Sequence, residues 1–184
     1  MEQIGVPFRI EVSEISEARL EGEPPSAYVE RLAVEKADCV FQRTVQRDPA
    51  AVLAADTAVV VDDELLGKPA DQTEALSMLA RLSGRSHRVL TAIALRWSGG
   101  LERELVTSEV RFRPTTAAER LAYCQSEEPY DKAGAYAIQG LGAVFIENLT
   151  GSYSAVMGLP LAETARVLAR FGMPPWLAAA QARA

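Results

Sequence analysis

The stretch 52–61 constrains this chain more than any other feature. It reads Val-Leu-Ala-Ala-Asp-Thr-Ala-Val-Val-Val, nearly continuous in apolar residues and rich in β-branched ones. Such a run predicts a β-strand that is buried on both faces. Asp56 and Thr57 interrupt it. Because a buried carboxylate is unfavourable unless it is paired or binds a metal, Asp56 is a candidate Mg²⁺ ligand or general base. A structural aspartate bonded to a neighbouring loop is the alternative.

Strands and helices alternate along the rest of the chain. Apolar patterns predict further strands over 6–12, 88–97, 101–113 and 143–149, with a hairpin at Ser98-Gly99-Gly100. We therefore expect a mixed α/β fold with a twisted sheet flanked by helices.

Helix boundaries are predicted from capping residues and prolines. Ser26 is expected to cap a helix over 27–43, and Asp71 with Glu74 to cap one that ends at Ser83-Gly84. Thr116 and Glu119 form a second capping-box pattern, and a last helix is expected from Pro160 to Gly172.

Composition excludes several classes of protein. The formal charge of −6 argues against nucleic-acid binding, which needs a basic face. No apolar run approaches the ~20 residues of a membrane span, and residues 1–10 lack a signal-peptide pattern, so we expect a cytoplasmic protein. Two cysteines are too few for a disulfide framework. The one histidine, His87, makes a histidine-based zinc site an unfavoured reading.

The basic residues are unevenly divided between the two types. Of the 19 Lys and Arg residues, 16 are Arg, and the lysines are Lys36, Lys68 and Lys132. Lys36 falls on the apolar stripe of the helix predicted over 27–43. A compact ammonium suits phosphate oxygens in a tight pocket, whereas a lysine stem that packs along the helix with its head in water is the alternative.

Two glycine-containing segments are not nucleotide-binding loops. Gly67-Lys68-Pro69 lacks both the earlier glycine and the following Ser or Thr of a phosphate-binding loop. Gly140-Leu141-Gly142 is followed by Phe145 and a predicted strand, so it does not complete a dinucleotide fingerprint. The residues alone therefore indicate phosphate chemistry assisted by a metal, without naming the reaction.

Seven segments, in order along nearly the whole chain, resemble the Maf family of nucleotide pyrophosphatases. The segments that carry the resemblance are 28–37 (YVERLAVEKA), 55–57 (ADT), 67–69 (GKP), 82–84 with 87–89 (LSG and HRV), 130–140 (YDKAGAYAIQG), 151–153 (GSY) and 156–161 (VMGLPL).

The resemblance implies an α/β fold with two lobes around a cleft and hydrolysis between the α- and β-phosphates of a nucleoside triphosphate. It implies Asp56 as the catalytic acid, Glu17 and Asp56 as ligands of Mg²⁺ or Mn²⁺, and Lys36 and Lys68 as phosphate-facing residues. Thr57 and Gln139 match positions tied to base choice. The segments Ala55-Asp56-Thr57 and Ile138-Gln139-Gly140 are similar to the branch that cleaves dTTP and UTP, and modified pyrimidine nucleotides are within the same expectation.

One feature departs from the family pattern. The family carries a strand and a Ser-x-Ser-Pro-Arg-Arg segment ahead of the Gly-Val-x-Phe found here at residues 5–8, so we expect one Maf-like domain over 1–184 that lacks this first strand. A nucleotide-binding regulator of cell division with weak or no turnover is therefore an alternative, and a pyrophosphatase for deaminated purines is a third reading. Related proteins are often dimers, so a homodimer is an expectation of the resemblance alone.

Overall fold

The computed structural model describes residues 1–46 and 51–174. Five strands form one antiparallel sheet in the order β2-β1-β3-β4-β5. The strands are β1 (Val52–Val61), β2 (Glu64–Leu66), β3 (Ser86–Trp97), β4 (Gly100–Phe112) and β5 (Ile146–Thr150). The helices are α1 (Pro25–Thr44), α2 (Gln72–Leu82), α3 (Ala117–Cys124), α4 (Tyr153–Val156) and α5 (Leu161–Arg170). The expected α/β fold, a sheet flanked by helices, is confirmed.

The two faces of the sheet are covered by different elements. Helix α1 packs Val29, Ala33 and Ala37 against Ala58 and Val60 of β1. The opposite face carries the larger core, in which α2, α3 and the segment around Tyr136 pack against the alternate residues of β1, β3 and β4. Because successive side chains of a strand point to opposite faces, neighbouring residues of β1 lie in different cores.

Most boundaries agree with the sequence. Strand β1 spans the predicted residues, although its apolar residues are buried only from Ala58 to Val61 and those before Asp56 are half-buried. Asp71 accepts a hydrogen bond from the Glu74 amide, and the capping box of Thr116 and Glu119 is complete. Both cysteines are free, with Cys124 buried and Cys39 half-buried.

Four predictions of local structure are wrong. Residues 6–12 do not form a strand, and Ile10 and Val12 lie exposed beside the sheet instead of pairing with it. Ser26 does not cap α1, because the helix begins one residue earlier at Pro25, whose ring fixes a helical φ. Strand β5 begins at Ile146 because a 3₁₀ turn occupies the preceding residues. No helix is predicted between residues 149 and 160, yet the short helix α4 lies there.

The expectations about membrane spans and about domain extent concern the chain as a whole. None of the helices in the described part of the chain combines the length and apolar character needed to cross a membrane. The prediction of one domain over 1–184 includes residues 47–50 and 175–184, which lie outside the described residues.

Candidate active site

A cleft opens along one edge of β1. Strand β3 pairs with β1 over Val52–Val60, whereas β2 pairs only with Val59–Val61 among the described residues. The edge of β1 that faces away from β3 is therefore unpaired over residues 52–58 in the described part of the chain, and residues 55–59 border a cleft of about 490 Å³. The cleft contains every residue predicted for the site, namely Glu17, Lys36, Asp56, Thr57, Lys68 and Gln139.

An ion cluster lies on the α1 side of β1. The Lys36 ammonium donates to Asp56 Oδ1 at 2.6 Å and contacts Glu17 Oε1 at 2.7 Å. The Asp56 and Lys36 side chains are 9% and 19% exposed, whereas Glu17 is 53% exposed. Lys36 therefore bridges a buried and an exposed carboxylate, which explains why a lysine stands on the apolar stripe of α1.

Burial and hydrogen bonding shift the pKa values of this cluster in different directions. Burial raises the pKa of Asp56 above its ordinary value, and the hydrogen bond from Lys36 opposes this only in part. Burial would lower the pKa of Lys36, but the bonds to Asp56 and Glu17 outweigh it, so the pKa of Lys36 is raised. The hydrogen bond from Lys36 lowers the pKa of Glu17. Lys36 is therefore a charged ammonium at neutral pH, and Asp56 is a more basic carboxylate than a solvated one.

Helix α1 also holds the loop that carries Glu17. Arg31 donates to both carboxylate oxygens of Glu23, at 2.6 and 2.8 Å, and to the Ala18 carbonyl. The Tyr28 hydroxyl donates to the Glu17 carbonyl at 3.0 Å. A two-pronged Arg–carboxylate contact fixes geometry better than a single bond. The exposed Glu17 is thus positioned by its backbone, although it stands on a loop without regular structure.

The other two lysines differ in their contacts. Lys68 lies in the loop that follows β2, and within the described residues it forms no ion pair at 4 Å or less. Lys132 pairs with Asp131 at 2.6 Å at the rim of the same cleft. Lys68 is consequently an exposed cation without a counterion among the described residues, whereas Lys132 is paired with its neighbour.

A neutral hydrogen-bond chain lies on the opposite side of β1. Thr57 stands opposite Thr91 of β3 in the strand register, and their hydroxyl oxygens are 3.0 Å apart. Thr91 is fully buried and donates to the Ala155 carbonyl of α4 at 2.7 Å. Gly158 closes this side of the cleft, since a Cβ at that position would lie 3.8 Å from Thr57 Oγ1. Sequence reasoning missed Thr91, because its pairing with Thr57 depends on a register that sequence pattern does not give.

Gln139 reaches the cleft from a loop that Glu128 holds in place. The Glu128 carboxylate accepts hydrogen bonds from the Tyr123 hydroxyl and from the amides of Leu141 and Gly142. A Cβ at Gly142 would lie 2.9 Å from the Ala137 carbonyl, so the loop requires glycine there. The exposed Gln139 side chain therefore stands on a braced segment.

The residues of the ion cluster suit a divalent cation. Asp56 and Glu17 both contact the Lys36 ammonium, so a metal ion held by the two carboxylates would lie beside that ammonium or displace it. Within residues 1–46 and 51–174 no three His, Cys, Asp or Glu side chains gather into a complete metal cage. Mg²⁺ characteristically takes one or two carboxylates and completes its shell with water and phosphate oxygens, so the pair fits this cation.

A larger cavity continues along the same edge of β1. It measures about 720 Å³ and shares Lys36 and Ala55 with the cleft. Its lining is mostly apolar, with Arg9 and Glu11 at its rim. Asp56 and Glu17 both lie in the smaller cleft, so we assign the chemistry to that cleft.

The chain is similar to proteins whose names describe nucleotide hydrolysis. A "Nucleoside triphosphate pyrophosphatase" of Xylella fastidiosa (strain M23) is 48% identical over 93% of this chain and 91% of its own length. A "dTTP/UTP pyrophosphatase" of Symbiobacterium thermophilum is 48% identical over 95% of this chain and 88% of its own length. One of Hahella chejuensis with the same name is 46% identical over 94% and 86%. These names do not favour a regulator that lacks turnover.

The family match covers the whole site. Residues 1–171 match the family described as Maf-like protein, and this range contains both carboxylates, the three lysines, the threonine chain and Gln139. The family resemblance seen in the sequence is confirmed, and the chain belongs to the Maf-like family.

Proposed function

We propose that this protein hydrolyses the α–β phosphoanhydride of dTTP and UTP, releasing the nucleoside monophosphate and pyrophosphate. The observation that carries the proposal is the buried Asp56–Lys36 pair at the edge of a cleft, with Glu17 on the same ammonium. The names of the relatives support the nucleotide and the bond.

One side of β1 would bind the triphosphate of the nucleotide, and the other side would bind its base. The ion cluster and Lys68 lie where a triphosphate would be neutralised, and Thr57 and Gln139 lie where a base would be read. A nucleotide bound in this way would cross the open edge of β1. Both ends of the ligand would then contact one strand, which fixes the reacting phosphate relative to Asp56.

Asp56 is proposed as the catalytic residue. Its hydrogen bond with Lys36 holds Oδ1, and the carboxylate orients the attacking water and takes its proton. Lys68, which has no counterion among the described residues, binds phosphate oxygens, and Lys36 contributes a second positive charge. Concentrating fixed cations where negative charge develops is the main way proteins accelerate phosphoryl transfer.

Charge balance supports a divalent cation as cofactor. Two carboxylates and two ammonium groups cancel at neutral pH, so these four side chains leave the charge of a triphosphate uncompensated. Asp56 and Glu17 would hold Mg²⁺ or Mn²⁺, which would stabilise the negative charge of the phosphates. The two roles of Asp56 compete, because a carboxylate bound to a metal is a weaker base for the attacking water. Isothermal titration with Mn²⁺ and no nucleotide tests this: we expect Glu17→Gln and Asp56→Asn each to weaken binding, and unchanged binding in both would reject the ligand assignment.

The central experiment measures pyrophosphate release from dTTP, UTP, CTP, GTP and ITP. We expect turnover of dTTP and UTP by the wild type and a loss of about 10²-fold or more in Asp56→Asn. Asp62→Asn is the matched control, because Asp62 lies in the turn after β1 and pairs with Arg85 outside the cleft. Full activity in Asp56→Asn would refute the role of Asp56, and a preference for ITP would select the deaminated-purine reading.

A further inference from the structure

The hydroxyl of Thr57 has a fixed hydrogen-bond direction. Thr91 carries a single hydroxyl hydrogen, and the Ala155 carbonyl, at 2.7 Å, can only accept. The hydrogen of Thr91 must therefore point at Ala155. The remaining contact, 3.0 Å between the oxygens of Thr57 and Thr91, then requires Thr57 to donate.

The opposite arrangement is unfavourable. If Thr57 accepted from Thr91, the Thr91 oxygen and the Ala155 carbonyl would face each other without a hydrogen between them. Thr91 is fully buried, so water cannot relieve that contact. Thr57 is half-buried and borders the cleft, where its unshared electron pairs remain accessible. Toward a ligand, Thr57 is an acceptor and not a donor.

We infer that Thr91 is a specificity-determining residue, which makes Thr57 select a pyrimidine whose ring N3 carries a hydrogen. This inference rests on the proposed function. The pairing edge of uracil and thymine offers two carbonyl oxygens and one N–H, so N3–H is the group on that edge that an acceptor can bind. Cytosine presents a lone pair at N3 and carries its donor on the N4 amino group beside it, so an acceptor placed to meet N3 faces a lone pair.

The position of Thr91 suits this role. It contacts Thr57 directly, and its bond to Ala155 ties β3 to α4, the helix that precedes Gly158. Thr91 does not touch the cleft, so it acts through Thr57 as a positioning residue. The inferred role of the buried Thr91 hydroxyl is thus to orient the Thr57 hydroxyl, in addition to packing within β3.

The test compares kcat/KM for UTP and for CTP. We expect the wild type to prefer UTP by about 10²-fold or more, since a site whose polar group is left unpaired rejects the analogue strongly. Thr91→Val keeps the shape but removes the hydroxyl, so Thr57 is free to turn its hydrogen toward N3 of cytosine. We expect the UTP-to-CTP preference to fall by about 10-fold or more in Thr91→Val. Thr91→Ser keeps the hydroxyl and should keep the wild-type preference.

The outcomes separate the two proposals. Without pyrophosphate release from any nucleotide by the wild type, the proposed function fails. If the wild type hydrolyses UTP but a folded Thr91→Val keeps the same preference for UTP over CTP, the specificity role of Thr91 is rejected and the proposed function stands. If Thr91→Val does not fold, the wild-type ratio decides, because equal use of UTP and CTP overturns the inference by itself. A loss of packing alone would slow both nucleotides and leave their ratio unchanged.

Discussion

The two sides of β1 place adjacent residues in different chemical environments. Asp56 points toward α1 into a cluster of opposite charges, whereas Thr57 points the other way into a neutral chain of hydroxyls that ends at a carbonyl. Charges act over distance and tolerate any nucleotide with a triphosphate. Hydrogen-bond direction acts at contact and distinguishes one base edge from another. Under the proposed function, the catalytic residue and the residue that selects the base are therefore neighbours on one strand.

Removing the central charge, Lys36, should have the largest effect. We expect Lys36→Met to lower kcat/KM by about 10²-fold for UTP and CTP alike, because under the proposed function this cation contacts the phosphates that both nucleotides share. The expected signature is an unchanged ratio between the two nucleotides, measured by pyrophosphate release. Arg88→Met is the control, since Arg88 pairs with Asp63 outside the lining of the cleft. A base-dependent loss in Lys36→Met would contradict the division of roles.

Glu17 provides a milder test of the charged side. Glu17→Gln removes one carboxylate but keeps the loop held by Arg31 and Tyr28, so we expect a loss of about 10-fold to 100-fold that added Mn²⁺ partly restores. Steady-state assays over a metal titration measure this. Glu14→Gln, from the same loop but outside the lining of the cleft, is the control. Loss that no metal concentration reduces would indicate a different role for Glu17.

Gly158 tests the neutral side. Its φ of +107° disfavours a side chain, and an added methyl would lie 3.8 Å from Thr57 Oγ1. We expect Gly158→Ala to raise KM for UTP by about 10-fold, through backbone strain and crowding of the base, with a smaller change in kcat. Gly172→Ala is the control, because Gly172 also has positive φ but open space around it. Equal effects in both variants would mean that strain alone is responsible.

His87 lies outside the lining of the cleft and should make the stability of the folded protein depend on pH. It is buried, its Nε2 lies 2.8 Å from the Tyr136 hydroxyl, and burial lowers its pKa to about 4. The unfolded chain binds a proton with the ordinary value of 6.5, so stability is retained above that pH and declines as the pH falls toward 4. Between pH 7 and pH 5 this one group should remove about 2 kcal/mol.

Urea unfolding of the wild type and of His87→Gln at the two pH values measures the His87 contribution. The glutamine variant should lose less stability on acidification, and identical losses would show that His87 is not the group responsible. Because Tyr136 also lines the cleft, assays at pH 7 should accompany the unfolding data.

Sequence predicted the parts of this molecule that are determined locally. Strand β1 and the caps at Asp71 and Thr116 follow from neighbouring residues, and they agree with the structure. The strand expected over 6–12 failed because alternation of apolar residues cannot say whether a partner strand is present. Three expectations stay predictions: that the family's first strand is lacking, that the protein forms a homodimer, and that it is cytoplasmic.

In the candidate site too, some residues could be recognised from their local sequence and others could not. The odd positions of Asp56 in an apolar strand and of Lys36 on an apolar stripe could be read directly, and the structure brings the two together at 2.6 Å. Thr57 and Lys68 also stood out, the first because it interrupts the apolar strand and the second because lysines are few, but their roles needed the family pattern. Glu17 and Gln139 needed that pattern even to be singled out. Thr91 could not be found, since its partner is set by strand register and its direction by a carbonyl far along the chain.

The register of β1 has a consequence for how the gene can change. Inserting or deleting one residue between Val52 and Asp56 would leave the strand apolar, yet it would shift the residues that follow by one position against β3 and turn their side chains to the other side. The acid would then face Thr91, and the threonine would face Lys36. A point substitution in this stretch changes one side chain, but a change in its length moves the acid and the threonine together. Tolerance to length change should therefore be lowest here, in a segment whose composition looks easy to replace.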